Sequence, residues 1–229
     1  MRAILLAAGF GTRLRPLTYT TPKCLVPIRG RPLLDIWLER LTVSGVGPFL
    51  INTHHLSSQV EKYSSQSLYA KKIYLSYESV LMGTAGTLRL NASFFKGSDG
   101  MLIHADNFCK ADFKEFQIAH SKRPLGCLMT MMTFRSDEPS SCGIININAN
   151  GVVTNYYEKT NEFNGNLANG AIYILSNKLI QMMSHEFKFA NDFSTEVLPE
   201  LVGKIFTYET KEALIDVGTP KNYMALVKE

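Results

Sequence analysis

Apolar residues fall in short runs along this chain, and their period changes from run to run. Residues 3–8 are uninterrupted and apolar and end at Gly9, which predicts a strand buried on both faces. Residues 9–31 carry Gly9, Gly11, Pro16, Pro22, Pro27 and Gly30 and predict a loop. Pro32 suits a first helical turn, and Leu33, Leu34, Ile36, Trp37, Leu38 and Leu41 continue as a helical stripe that ends near Gly45. Strands are then expected at 49–53, 73–77, 101–104 and 125–134, with helical stretches at 57–70, 84–95 and 113–120 between them. Strand alternating with helix argues a mostly parallel sheet with helices on both faces.

The rhythm shifts after about residue 135. Segments 143–148 and 152–157 are β-rich, and Asn150-Gly151 between them is a hairpin signal. A strand at 167–175, short helices at 179–183 and 195–201, strands at 205–208 and 213–217 and a final helix from Pro220 complete the pattern. The expectation is an α/β core carrying a β-rich insertion. No repeat, low-complexity tract or Pro/Gly/Ser-rich linker divides the chain, so 1–229 reads as a single domain with parts 1–134 and 135–229.

Composition narrows the class. A chain of 229 residues with 45% hydrophobic and 19% charged residues suits a globular domain and argues against disorder. No run approaches the roughly 18–20 apolar residues of a membrane helix. The short N-terminal run, followed by Arg13 and Arg15, fits a buried strand better than a signal peptide, and a cytoplasmic location follows as an expectation. Cys24, Cys109, Cys127 and Cys142 lie far apart without a C-x-x-C pair, so reduced thiols are expected. Cys109 has no evident nucleophile partner. The net charge of +4 is too weak to argue for nucleic acid. Its distribution is informative: Arg2, Arg13, Arg15, Lys23, Arg29 and Arg31 occupy residues 1–34, which hold no Asp or Glu. That segment is either a solvated basic edge or an anion site.

The loop after the first strand decides between them. Gly9-Phe-Gly11-Thr-Arg13 lacks the Lys-Ser/Thr of a Walker loop, and Leu14 stands where a dinucleotide fingerprint needs a third glycine. An oxidoreductase with a nicotinamide site is therefore disfavoured. The longer string, Leu6-Ala7-Ala8-Gly9-Phe-Gly11-Thr12-Arg13-Leu-Arg-Pro-Leu-Thr followed by Thr21-Pro-Lys23-Cys-Leu-Val-Pro27, resembles the signature of the sugar-1-phosphate nucleotidyltransferases. Small residues let backbone N–H groups approach a triphosphate, Arg13 offers a fork for phosphate oxygens, and Lys23 offers a compact charge.

The resemblance extends along nearly the whole chain. It implies a Rossmann-like fold with a β-rich substrate-binding insertion, and a nucleotide site at Leu6, Ala7, Ala8, Gly9, Gly11, Thr12, Arg13, Glu78, Gly83 and Thr84. It implies Mg²⁺ held by Asp106 and Asp216, and a sugar-phosphate site at Asn107, Glu158, Lys159 and Asn169. Arg13, Lys23 and Asp106 are the implied catalytic residues. Three departures from the family pattern stand out: Ala105 for Gly before Asp106, Thr160 for Pro after Lys159, and the swapped pair Gly170-Ala171 after Asn169. Taken alone, Asp106 reads as a helix cap, Glu158-Lys159 as a solvated pair, the run from Gly83 to Gly86 as a helix start, and Asp216-Val-Gly-Thr-Pro as a strand end. His54 and His55 follow a strand end with no spaced metal partner and read as structural.

The implied reaction joins an NTP and a sugar 1-phosphate to give an NDP-sugar and pyrophosphate, a step in nucleotide-sugar and cell-surface polysaccharide biosynthesis. Glu78 followed by Met82-Gly83-Thr84-Ala85-Gly86 resembles the guanylyltransferase branch, which favours GTP with a mannose- or heptose-type 1-phosphate. Uridylyl, thymidylyl or cytidylyl transfer, for instance to N-acetylmuramate 1-phosphate, is the alternative, and a non-catalytic relative that binds nucleotide sugars is a third reading. Only 13 residues follow Asp216, so a C-terminal β-helix and its acetyltransferase are not expected. Neither nucleic acid nor membrane is an expected partner, and homo-oligomerisation is left open.

Overall fold

The computed structural model describes residues 1–159 and 164–228. In chain order the strands are β1 (Arg2–Leu6), β2 (Pro27–Ile28), β3 (Arg31–Pro32), β4 (Phe49–Thr53), β5 (Ile73–Tyr77), β6 (Gly100–His104), β7 (Asn107–Cys109), β8 (Met129–Arg135), β9 (Gly143–Ile147), β10 (Val153–Glu158), β11 (Leu167–Leu175), β12 (Ile205–Glu209) and β13 (Leu214–Asp216). The α-helices are α1 (Leu33–Val43), α2 (Ser57–Gln66), α3 (Gly83–Leu90), α4 (Phe113–Ser121), α5 (Asn177–Met182) and α6 (Pro220–Lys228). No described helix is long and apolar enough to cross a membrane.

The chain forms two compact units that interleave along the sequence. One comprises residues 1–81, 103–110 and 212–229, the other 82–102 and 111–211. The unit boundaries fall at 81/82, 102/103, 110/111 and 211/212.

In the first unit β1, β4 and β5 run parallel, with Ala3 opposite Phe49, Leu5 opposite Ile51 and Thr53 opposite Tyr77. Parallel neighbours need crossovers, and α1 and α2 supply them. All five residues of β4 are buried, which explains its unbroken apolar character up to Asn52. Helix α1 buries Leu33, Leu34, Trp37, Leu38 and Leu41, and Trp37 Nε1 donates to the Asn107 carbonyl at 2.7 Å. This α/β, Rossmann-like arrangement is the expected one. The short β7, which the apolar pattern did not announce, pairs antiparallel with β13 and sets Asp216 opposite Asn107.

The second unit is β-rich. β11 pairs antiparallel with β8 and β9, β9 with β10, and β12 lies parallel to β8. The β9–β10 hairpin turns at Asn150-Gly151, where the Asn148 side chain accepts from the N–H groups of Asn150 and Val152. Several ends differ from the sequence expectation for local reasons. Helix α3 stops at Leu90, where Asn91 folds back to donate to the Thr87 carbonyl. β8 starts at Met129 because residues around Pro124 and Gly126 form a turn. A π-helical turn at Phe193–Val197 starts at the Asp192 cap and is followed by Pro199.

Candidate active site

The first unit gathers the charged residues. β1 delivers the chain into the glycine loop, and the Ala105 N–H bonds the Leu6 carbonyl, so the strand end leading to Asp106 lies against the loop. Gly11 adopts φ 62, a left-handed conformation that favours glycine. A Cβ there would also stand 2.8 Å from Thr18 and 3.3 Å from the Lys23 Cβ. The loop is therefore folded tightly onto the start of the Lys23 turn. Thr18 ties it further by donating to the Gly11 carbonyl at 2.7 Å.

Lys23 is almost buried, its side chain 9% exposed. Its Nζ lies 2.7 Å from Asp106 Oδ2 and 3.3 Å from Asp216 Oδ1. Arg13 NH2 reaches the other oxygen of Asp216 at 3.2 Å. The pairing of β7 with β13 makes this cluster, since Asp106 precedes β7 and Asp216 ends β13. Burial pushes the Asp106 carboxyl up, but the Lys23 ammonium and His104 pull it down further, so it lies below its ordinary value and is ionised at neutral pH. A Cβ on Gly218 would come within 2.7 Å of both Asp216 carboxylate oxygens and 2.8 Å of Arg13 NH2. An added methyl group would displace that carboxylate and the Arg13 guanidinium from their places.

Two carboxylates converging on one cation present hard oxygen donors. Mg²⁺ is commonly held by one or two carboxylates, with substrate phosphates and water completing an octahedron. Among the described residues no group of three or more His, Cys, Asp or Glu side chains is placed to hold an ion. Asp106 and Asp216 could supply two such carboxylates. Cys24, beside Lys23, is buried, and burial pushes its thiol up to about 12, so it remains neutral.

Three other cations of residues 1–34 have partners of their own. Arg31 pairs with Asp35 and Glu39 at 2.6 and 2.9 Å, Arg15 stacks over Tyr19, and Arg29 donates to the Leu226 carbonyl. Glu78 is buried, and its Oε1 accepts from Asn52 Nδ2 at 2.9 Å. Asn52 Oδ1 in turn accepts from the Ala7 N–H at 2.7 Å. Sequence reasoning passed over Asn52, although a polar residue closing an apolar strand was a usable signal. His54 and His55 hold backbone: their ring nitrogens meet the carbonyls of Glu78 and Thr18, and both rings pack on Phe10. Asn107 is buried beside this cluster on β7.

The second unit holds the remaining residues. Gly83, at φ 72, opens α3, and a Cβ there would collide with the Asn191 carbonyl oxygen. That carbonyl accepts from the Ala85 N–H. The Thr84 hydroxyl donates to Asp192 Oδ2 at 3.2 Å and accepts from the Phe193 N–H at 2.6 Å. The run from Gly83 to Ala85 is therefore clamped by the Asp192 turn, which sequence reasoning did not single out.

Glu158 closes β10; its Oε2 accepts from the Tyr156 hydroxyl and its Oε1 lies 3.4 Å from Lys159 Nζ. Lys159 itself is exposed. Asn169 lies at the edge of a register shift in the β8–β11 pairing, between Asn169 and Tyr173. Its amide donates to the Tyr173 hydroxyl at 2.8 Å and accepts from the Ala171 N–H at 2.9 Å. Burial pushes both tyrosine hydroxyls well above their ordinary range, so they stay protonated donors. Thr160, the departure after Lys159, lies outside the described residues.

A glycine turn packed on a buried lysine, with two carboxylates sharing that lysine, lies at the strand ends of an α/β protein, where ligands of such folds gather. The family model described as "Nucleotidyl transferase" matches residues 2–229, and the chain belongs to that family. It is 32% identical over 98% of its length to "Mannose-1-phosphate guanyltransferase 2" of Candida glabrata, and 31% identical over 98% to "Mannose-1-phosphate guanyltransferase" of Saccharomyces cerevisiae. It spans 63% of the length of each of these relatives. Among solved structures, HddC from Yersinia pseudotuberculosis complexed with GMP-PN superposes with a TM-score of 0.82 at 25% identity, covering 99% of this chain and 98% of that one. A putative glucose-1-phosphate thymidylyltransferase from Bacillus anthracis shares the fold, with a TM-score of 0.85 at 20% identity, covering 100% of this chain and 94% of that one.

Proposed function

We propose that this chain is a sugar-1-phosphate nucleotidyltransferase that takes GTP and a mannose- or heptose-type 1-phosphate and releases a GDP-sugar and pyrophosphate. The observation that carries the reading is Lys23, buried beneath the Gly11 turn and held by Asp106 and Asp216. The guanyltransferase relatives and the GMP-PN complex of HddC support guanine as the base.

In the proposed step a sugar phosphate oxygen forms a bond to the α-phosphorus of GTP, and the bond from that phosphorus to the bridging oxygen of pyrophosphate breaks. The attacking oxygen is already an anion and needs no general base, so positioning and charge neutralisation supply the catalysis. The loop of residues 6–12 takes the triphosphate through backbone N–H groups other than that of Ala7, which Asn52 holds. Arg13 is 66% exposed and paired with the part-exposed Asp216, so it can turn to the leaving pyrophosphate at little cost. Lys23 stabilises charge at the α-phosphate and the departing oxygen. Asp106 and Asp216 would hold Mg²⁺, which neutralises phosphate charge when bound. Glu78, Gly83 and Thr84 serve the base. Asn107, Glu158, Lys159 and Asn169 serve the sugar phosphate, with Lys159 on its phosphate. We place the reaction in the cytoplasm, where the four thiols would stay reduced.

A pyrophosphate-release screen of five NTPs against a panel of sugar 1-phosphates with Mg²⁺ tests this. Turnover with GTP and a mannose- or heptose-type substrate is expected. Activity confined to UTP or CTP overturns the choice of base, and no release with any pair overturns the transferase reading.

A further inference from the structure

We infer that Asn52 is a positioning residue that sets the base selectivity of the nucleotide site by holding the Glu78 carboxylate. The inference rests on the proposed role of Glu78 in base recognition. β4 lies between β1 and β5, and Asn52 sits near its end, 4% exposed. Its amide bridges the two sides: Oδ1 accepts from the Ala7 N–H at 2.7 Å, and Nδ2 donates to Glu78 Oε1 at 2.9 Å. Ala7 belongs to the loop assigned to the triphosphate, so one side chain connects that loop to the residue assigned to the base.

The orientation of this amide is forced. A backbone N–H can only donate, so the oxygen of Asn52 must face Ala7 and its NH₂ must face Glu78. The Asn52 NH₂ therefore orients the Glu78 carboxylate, a group that only accepts hydrogen bonds. Guanine presents N1–H and an exocyclic NH₂ side by side on its pairing edge, whereas adenine presents an acceptor at N1. An acceptor-only group therefore favours guanine and repels adenine. The backbone of Glu78 is held separately, by its N–H to the Thr53 carbonyl and by its own carbonyl to His54 Nδ1. Asn52 accordingly acts on the carboxylate more than on the path of the chain.

Equilibrium titrations of the whole chain with GTP and with ATP test this without needing turnover. Asn52→Asp keeps the shape and the acceptor for Ala7 but turns a second carboxylate towards Glu78. The wild type is expected to prefer GTP. In Asn52→Asp, GTP binding is expected to weaken about 10-fold or more, with ATP binding changed less than about threefold. If the paired carboxylates prevent folding, Asn52→Asp combined with Glu78→Gln restores an amide–carboxylate bond with the donor on the other side. That variant is expected to fold and to have lost the preference for GTP. Equal binding of GTP and ATP by the wild type, or retained GTP preference in a folded Asn52→Asp or double variant, overturns the inference. Absence of transfer in the pyrophosphate screen would leave a measured binding selectivity standing, and a transferase without base preference would leave the catalytic reading standing.

Discussion

Replacing Lys23 by Met gives two readouts of opposite sign. Met keeps a long apolar stem in a site where the lysine side chain is only 9% exposed, so packing under the Gly11 turn is largely preserved. What is lost is an ammonium 2.7 Å from Asp106 and 3.3 Å from Asp216. Unit charges about 4 Å apart interact by about 4 kcal/mol at an effective dielectric near 20. The two carboxylates are 36% and 41% exposed, and solvent screening reduces the ammonium's hold on each to about 1 kcal/mol. With that competing cation gone, Mg²⁺ binding to the nucleotide-free protein is expected to tighten about 10-fold or more. Turnover is expected to fall about 10²–10³-fold, the usual cost of removing one preorganised group from a developing charge. Calorimetric Mg²⁺ titration and pyrophosphate release measure the two effects, with circular dichroism to show that the variant folds. A folded variant with wild-type turnover, or with unchanged Mg²⁺ affinity, would refute the placement of Lys23 between metal and phosphate.

Two further outcomes are expected from particular contacts. Gly218→Ala puts a methyl group against the ends of Asp216 and Arg13, which can shift, so melting should change little while turnover drops at least about 10-fold; wild-type turnover would show that the Asp216 carboxylate position is not critical. His120 is buried, with Nδ1 on Thr130 and Nε2 on Asp99, and burial followed by Arg123 lowers its pKa despite the pull of Asp99. The unfolded chain therefore takes the proton first, and stability should fall as pH drops below about 6.5, flattening beneath the folded pKa. Urea unfolding at pH 7.5 and 5.5 should show that this loss is smaller in His120→Gln; equal losses would remove His120 as the source.

Local signals foretold much of this protein. The apolar run and glycine of residues 3–9 mark β1 and its loop, and β4, β5 and β11 appear at the residues the pattern indicated. Such elements are legible because period and turn chemistry are properties of neighbouring residues. The motif resemblance singles out Arg13, Lys23, Asp106 and Asp216, which the folded chain brings together, but composition could not say which of the six early cations meet carboxylates from distant segments. Arg31 resembles Lys23 in the sequence, yet it faces two surface acids four and eight residues away.

What the tertiary structure decided is how distant residues meet. Asp106 and Asp216 share Lys23 because a three-residue strand that no periodicity could announce pairs with another more than a hundred residues later. Asn52 matters because parallel pairing puts it between Ala7 and Glu78, and Asp192 because its turn packs on Gly83. A hydrogen bond forms where geometry brings donor and acceptor within reach, and that geometry is set by long-range pairing. The sequence by itself determined which chemistry was present and which segments would be strand or helix; the folded chain alone determined which charges confront one another.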